Sequence, residues 1–180
     1  MPAKFKLDYF TATVKRLAYT TDQKQMAFYV AKIDINRDDV SIFANYKGNN
    51  PADGWGMQRT TDQMIAAQNR HSNPNDPSTY IPNYTPVAGI NADFYNMGNG
   101  APSGALVMEG VTYNGANKSN FFAILKDGTP IIGTSAEWNT YKDLVQEAVG
   151  GSVLLVKDGK AVAGSGSYYT ERGPRSAVGI

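Results

Sequence analysis

Cysteine is missing altogether from this 180-residue chain, and that one absence excludes disulfides, thiolate metal sites and a cysteine nucleophile. A complete lack also suits a protein working outside a Gram-positive-type cell, where a stray thiol is a liability. Histidine is nearly as scarce. His71 is the only one, which excludes a histidine-rich zinc site, and its neighbours Asn, Pro and Ser predict a solvated ring. Neither sign of charge is in excess, with 17 Lys and Arg against 16 Asp and Glu, scattered without long like-charged runs. Nothing electrostatic therefore points to nucleic acid or an anionic membrane. No apolar stretch reaches the roughly 18 residues of a spanning helix, and Met1-Pro2-Ala3-Lys4-Phe5-Lys6 lacks the apolar centre of a signal peptide.

What the chain does contain is turn formers and β-formers: 18 glycines, 9 prolines and 11 tyrosines, the last also offering aromatic surface for sugars. Thr11 to Ala18 and Met26 to Ile35 read as strands, joined by the polar link Thr20-Thr21-Asp22-Gln23-Lys24, with Val40 to Tyr46 as a third strand of an antiparallel meander. Lys47 to Trp55 is a loop by its turn residues. Thr60 and Gln63 fit a capping box opening a helix over Thr61 to Asn69, and His71 to Thr85 reads as one long surface loop. Val87 to Ala92 predicts a buried strand and Ala105 to Met108 another. Asn120 to Leu125 and Pro130 to Gly133 form a hairpin about Asp127-Gly128, and a second hairpin turns at Asp158-Gly159. Tyr141, Leu144, Val145 and Ala148 have helical spacing, predicting an amphipathic helix from Glu137 to Val149 that Gly150-Gly151 ends. The expectation is one α+β domain over residues 1–180: a β-rich mixed or antiparallel sheet with hairpins and two or so helices packed on it.

Two segments couple an apolar run to polar chemistry: Pro86-Val87-Ala88-Gly89-Ile90-Asn91-Ala92-Asp93-Phe94-Tyr95-Asn96, and Glu171 to Ile180 at the end of the chain. On a strand, Asn91 and Asp93 share one face. A carboxylate beside a carboxamide can bind a cation, grip a sugar hydroxyl or place a catalytic proton; equally, Asp93 and Asn96 can simply satisfy backbone donors in the following turn. Arg172 and Arg175 flank a Gly-Pro corner. A guanidinium is a planar fork matched to phosphate, and Arg175, between a proline and a small-residue apolar run, is expected to face inward. The alternative is a surface arginine paired with Glu171. Gly98, Gly100 and Gly104 around Pro102-Ser103 offer a loop whose amides can approach a ligand oxygen, without the spacing or Lys of a nucleotide fingerprint. Trp55, Trp138, Tyr168 and Tyr169 are sugar-stacking candidates that core or rim positions explain as well, and Glu109 in a Met-Glu-Gly turn is expected to be exposed.

Asn91-Ala92-Asp93-Phe94-Tyr95, Gly100-Ala101-Pro102-Ser103-Gly104 and Glu109-Gly110 resemble the opening signature of the phosphodiester glycosidase family, with Ala92 and Asp93 in place of a more usual glycine pair. That family includes the enzyme that uncovers mannose 6-phosphate and many bacterial proteins associated with exopolysaccharide. Gly150-Gly151-Ser152-Val153-Leu154-Leu155-Val156-Lys157-Asp158-Gly159-Lys160 resembles its next block, and Arg172-Gly173-Pro174-Arg175-Ser176-Ala177-Val178-Gly179 its Pro-Arg block, so that the likeness runs from about Val87 to Ile180. Family members continue into another half-domain with an Asp-Gly-Gly-Gly-Ser segment. The expected domain is thus truncated at its C-terminus, and a separate C-terminal fragment or a homo-oligomer is an expected partner. The resemblance implies hydrolysis of a sugar-1-phosphodiester, with Asp93, Asn91 and Arg175 catalytic, Arg172, Gly100, Ser103 and Gly104 binding substrate, no certain cofactor beyond a candidate divalent cation such as Ca, and an extracellular or cell-surface location. A non-catalytic module that binds cell-wall polysaccharide or exopolysaccharide is the alternative reading, and an assembly domain pairing through Val178-Gly179-Ile180 is a third.

Overall fold

The structure is a computed structural model, and it describes residues 4–6, 10–18, 25–162, 164–166, 169, 171 and 173–180. It divides into two compact units, Met1–Ile42 and Phe43–Ile180. The first is an antiparallel meander of β1 (Lys4–Lys6), β2 (Phe10–Ala18) and β3 (Gln25–Ile33), registered from Phe10 opposite Ile33 to Ala18 opposite Gln25. The expected link Thr20 to Lys24 lies outside the described residues. The third strand expected over Val40 to Tyr46 does not form. Its donors go to side chains instead of a ladder: Ala44 N–H to the Glu147 carboxylate at 2.9 Å and Tyr46 N–H to Asn45 Oδ1 at 2.8 Å.

The second unit is built on a five-stranded antiparallel sheet in the order β5-β4-β8-β6-β7, from β4 (Leu106–Met108), β5 (Val111–Asn114), β6 (Asn120–Leu125), β7 (Pro130–Gly133) and β8 (Val145–Gly151). The predicted hairpins are present. Gly128 takes φ +87° at the turn between β6 and β7, and Asp158 and Gly159 take φ +50° and +71° between β9 (Val156–Lys157) and β10 (Lys160–Ala161). Positive φ at both central residues of the Asp158-Gly159 turn matches the twist of its paired strands, while between β6 and β7 only Gly128 takes positive φ. One sheet face carries Val107, Phe121, Ala123, Val145 and Ala148, covered by Trp138, whose ring meets Phe121 edge-on at 5.1 Å. The other carries Leu106 and Met108 beneath Ala44 and Tyr46. Trp138 is therefore a core residue.

The helix expected from Glu137 to Val149 is replaced by one turn, α2 (Trp138–Tyr141), followed by β8. β8 is central, with β4 on one side and β6 on the other, and a strand buried on both faces does not alternate strictly. Val145, Glu147 and Ala148 are all buried, so a helical spacing arose from a two-sided strand with a register shift near Ile124. Gly150 and Gly151 accordingly close a strand, with Gly150 N–H donating to Ala105 O at 2.9 Å.

Helix α1 (Thr60–His71) runs two residues beyond its expected end and starts without a capping box: Arg59 is the N-cap and makes no side-chain cap. The extension carries His71 inward, to 2 % exposure, instead of into a solvated loop. Its ring lies 5.6 Å from Phe43 and 4.7 Å from Tyr84. Nδ1 donates to Thr79 O at 2.8 Å, Nε2 stands 3.3 Å from Asn49 Nδ2, and Glu109, half-exposed in its turn, pairs with Arg70 at 2.8 Å. The strand expected over Val87 to Ala92 is also absent. That segment is exposed and touches α1, where Gly89 abuts Met64 so closely that a Cβ would stand 2.7 Å from its sulfur; just before it, Gln68 Nε2 donates to Tyr84 O at 2.7 Å. No helix among the described residues is long and apolar enough to cross a membrane.

Glu147 joins the parts of this unit. It is 4 % exposed, and its two oxygens accept from Ala44 N–H and Glu109 N–H, both at 2.9 Å. Burial pushes its carboxyl from 4.5 up to about 7, with the Glu109 charge adding to the rise and the two amides opposing it. A carboxyl whose pKa is raised by folding favours the fold most below its unfolded value, and that stability is lost as pH rises through 7. Denaturant titrations from about pH 5 to pH 8 should therefore show stability falling by about 2 kcal/mol and levelling off above neutrality, with Glu147→Gln showing less than half that fall.

Candidate functional site

The site begins at Asp93, at the mouth of the loop that leads into β4. Tyr95 bridges Pro102, Ser103 N–H donates to Phe94 O at 2.8 Å, and Asn96 N–H to Ala101 O at 2.8 Å, so residues 94–103 form a small antiparallel loop. Asn114 Nδ2 pins its far side through Pro102 O at 3.0 Å and Gly104 O at 2.8 Å. The Tyr46 hydroxyl accepts from Gly56 N–H at 2.5 Å and lies 2.8 Å from Gly100 O.

Gly100 is buried with φ +80°, and a Cβ there would stand 2.4 Å from the Gly56 backbone; its own N–H donates to Asn96 O at 2.6 Å. Its amide is thus spent within the loop. Ser103 is exposed, and Gly98 N–H is taken by Asn96 Oδ1 at 2.8 Å, the local turn bonding open to Asn96 from its sequence.

Gly104 and Gly150 have a different purpose. A Cβ on Gly104 would lie 2.2 Å from Asp93 Oδ2, and one on Gly150 would lie 2.3 Å from the same atom. The carboxyl rests on two adjacent glycines, Gly104 before β4 and Gly150 in β8, with Ser119, the residue just before β6, beside them. No residue with a side chain fits beneath it. Oδ1 accepts from Phe94 N–H at 2.7 Å, while Oδ2 is buried without a hydrogen-bond partner among the described residues. Burial raises the Asp93 pKa above the ordinary carboxylate value; the Phe94 amide and, from outside hydrogen-bond geometry, that of Gly104 act against the rise.

Ser176, in the last segment of the sequence, donates from Oγ to Asn91 Oδ1 at 2.6 Å. Ser176 thus meets Asn91, two residues before Asp93 in the sequence, and Arg175 is the sequence neighbour of Ser176. Arg175 is exposed rather than inward-facing: its guanidinium folds back over Gly173 and donates to Pro174 O at 2.9 Å. A guanidinium's hydration favours such a solvent-facing position unless a buried anion compensates it. Arg172 and Tyr168 lie outside the described residues. Trp55 and Tyr169 are each 37 % exposed, while Phe94 and Tyr95, beside Asp93, are more open at 54 % and 45 %.

A divalent cation finds no cage here. Among the described residues no three His, Cys, Asp or Glu side chains gather to hold a metal. Asp93 Oδ2 is wedged on the glycines and Asn91 Oδ1 is taken by Ser176. Sequence reasoning overlooked Ser119 and misread the purpose of Gly150. Its only signal was the adjacent glycine pair, which a helix end explains equally well.

Because the carboxyl occupies the space a side chain would need, Gly150→Ala should destabilise the protein by about 1–3 kcal/mol. The cost should shrink in an Asp93→Ala background without vanishing, since the Gly104 Cα also stands 2.8 Å from that Cβ. Thermal and denaturant unfolding of the double-mutant cycle measures the difference.

The three stretches joined here, Asn91 to Gly104, Gly150 onward and Arg175-Ser176, are sequence blocks that the fold makes into one locality. No curated protein matches the chain. A family model described as phosphodiester glycosidase matches residues 84–180. That span covers more than half the sequence and includes every residue of the site just described, apart from the supports Tyr46 and Gly56. The chain therefore belongs to the phosphodiester glycosidase family.

Proposed function

We propose that the protein hydrolyses the sugar–phosphate bond of a sugar-1-phosphodiester, releasing the sugar and a phosphomonoester. The observation that carries this reading is the Ser176–Asn91 hydrogen bond, which anchors the residue after Arg175 to the residue two before Asp93. It supports a site where a carboxyl and a guanidinium serve opposite ends of one substrate. The leaving phosphate is already a good anion, so its protonation matters less than in an ordinary glycoside. The reaction instead needs stabilisation of an oxocarbenium-like sugar, a nucleophile on the sugar's far face, and positive charge on the phosphate.

In this scheme Asp93 serves the sugar and Arg175 the phosphate, with Asn91 orienting the reacting group. The exposed side chain of Arg175 would swing from Pro174 O onto an arriving phosphate, exchanging a neutral acceptor for a charged one. Arg172 and Ser103 would add contacts to the phosphodiester, while Gly104 serves as the floor under Asp93. A substrate resembling an N-acetylglucosamine-1-phosphodiester, in surface polysaccharide metabolism at or outside the cell surface, follows from the family reading.

A second reading, a non-catalytic module for cell-wall polysaccharide or exopolysaccharide, is favoured by the exposed Phe94 and Tyr95 rings next to Asp93, which suit stacking on a sugar face. Catalysis and binding separate in one comparison. With aryl or nucleoside-diphosphate sugar phosphodiesters, Asp93→Asn and Arg175→Ala should each lower turnover by about 100-fold or more. Hydrolysis at near wild-type rates in both variants refutes the assignment. Polysaccharide binding without any turnover in the wild type establishes the module.

A further inference from the structure

Two buried side-chain oxygens have no hydrogen-bond partner among the described residues, Asp93 Oδ2 and Ser119 Oγ. They stand together: the point where a Cβ on Gly104 would be lies 2.2 Å from the first and 2.4 Å from the second, so their separation cannot exceed the sum of those distances. Buried polar atoms are nearly always paired, so two unpaired ones meeting at one glycine call for a common explanation. Their chemistry is complementary. A carboxylate oxygen only accepts, whereas a serine hydroxyl carries a proton on a freely turning bond.

We propose that Ser119 is a positioning residue for Asp93, its hydroxyl donating to Oδ2, directly or through one trapped water, and so fixing which oxygen of the carboxyl faces a ligand. Steric room supports this division of labour. Oδ2 sits where Gly104 and Gly150 leave too little space for even a methyl group, so no sugar ring enters there. Oδ1 accepts the Phe94 amide and keeps lone-pair capacity for a ligand. Ser119 thus touches Asp93 and not the substrate. It immediately precedes β6, a neighbour of the β8 strand that carries Gly150, so the rigidity of the sheet passes directly to the carboxyl.

The kinetic part of this inference rests on the reading of Asp93 as a substrate-facing group; the bond itself does not. The test follows the Asp93 carboxyl carbon by NMR in protein labelled at aspartate, with the resonance assigned from its loss in Asp93→Asn. A hydroxyl donor favours the ionised form, so Ser119→Ala should raise the Asp93 titration midpoint by about half a pH unit or more, and Ser119→Thr should restore it. Should the alanine variant unfold, Ser119→Cys, nearly isosteric but a poor donor, should move the midpoint the same way. An unmoved midpoint in a folded Ser119→Ala or Ser119→Cys protein overturns the proposal, whatever the activity. In parallel, the acidic limb of kcat/KM against pH should move with the midpoint while KM stays within about twofold of wild type. A shifted midpoint in a protein that hydrolyses no phosphodiester would retain the Ser119–Asp93 pair and reject the hydrolase.

Discussion

A single buried carboxylate organises the larger unit. Glu147 lies in the central strand and holds the amide of Ala44, from an irregular segment, and that of Glu109, from a tight hairpin turn. Neither amide belongs to a regular ladder, so without Glu147 both would lose their acceptor inside the protein. The same carboxylate sets Ala44 and Tyr46 over Leu106 and Met108. Tyr46 then reaches Gly56 and Gly100, the back of the loop whose front is Asp93. Site geometry therefore depends, through a few polar contacts, on a charge-bearing group that the core would otherwise disfavour.

Around Asp93 the controlling factor is space. Two glycines from neighbouring parts of the sheet permit a carboxyl to lie where side chains would normally meet, and the resulting burial shifts its protonation. The proposed role of Asp93 toward the sugar draws on that shifted equilibrium, with Oδ1 keeping lone-pair capacity beside the Phe94 amide. Arg175 represents the opposite arrangement. It is exposed, and its guanidinium donates to Pro174 O.

The readings of sequence that succeeded rested on local chemistry. Asp-Gly at Asp127-Gly128 and Asp158-Gly159 specifies a tight turn because each places a residue that tolerates positive φ where the turn needs it, Gly128 in the first and both residues in the second. The ordered blocks from Asn91 to Ser176 identified the family, since several motifs in register constrain far more than one. The failures share a cause. Val145 to Gly151 has a spacing compatible with a helix, but strands on both sides claim its backbone. Val87 to Ala92 has a strand's composition, yet it touches α1 at Gly89. His71 occupies a polar stretch of sequence, but one extra half-turn of helix buries it beneath Phe43 and Tyr84.

By itself, then, the sequence determined the turns, the strand-rich class and the family, because each is set by residues close together in the chain. Tertiary structure alone decided that Gly104, Gly150 and Ser119 share a floor beneath Asp93, and that Ser176 reaches Asn91. Those meetings depend on strand order and on the exclusion of side-chain volume between distant segments, and neither quantity is encoded by any local pattern of residues.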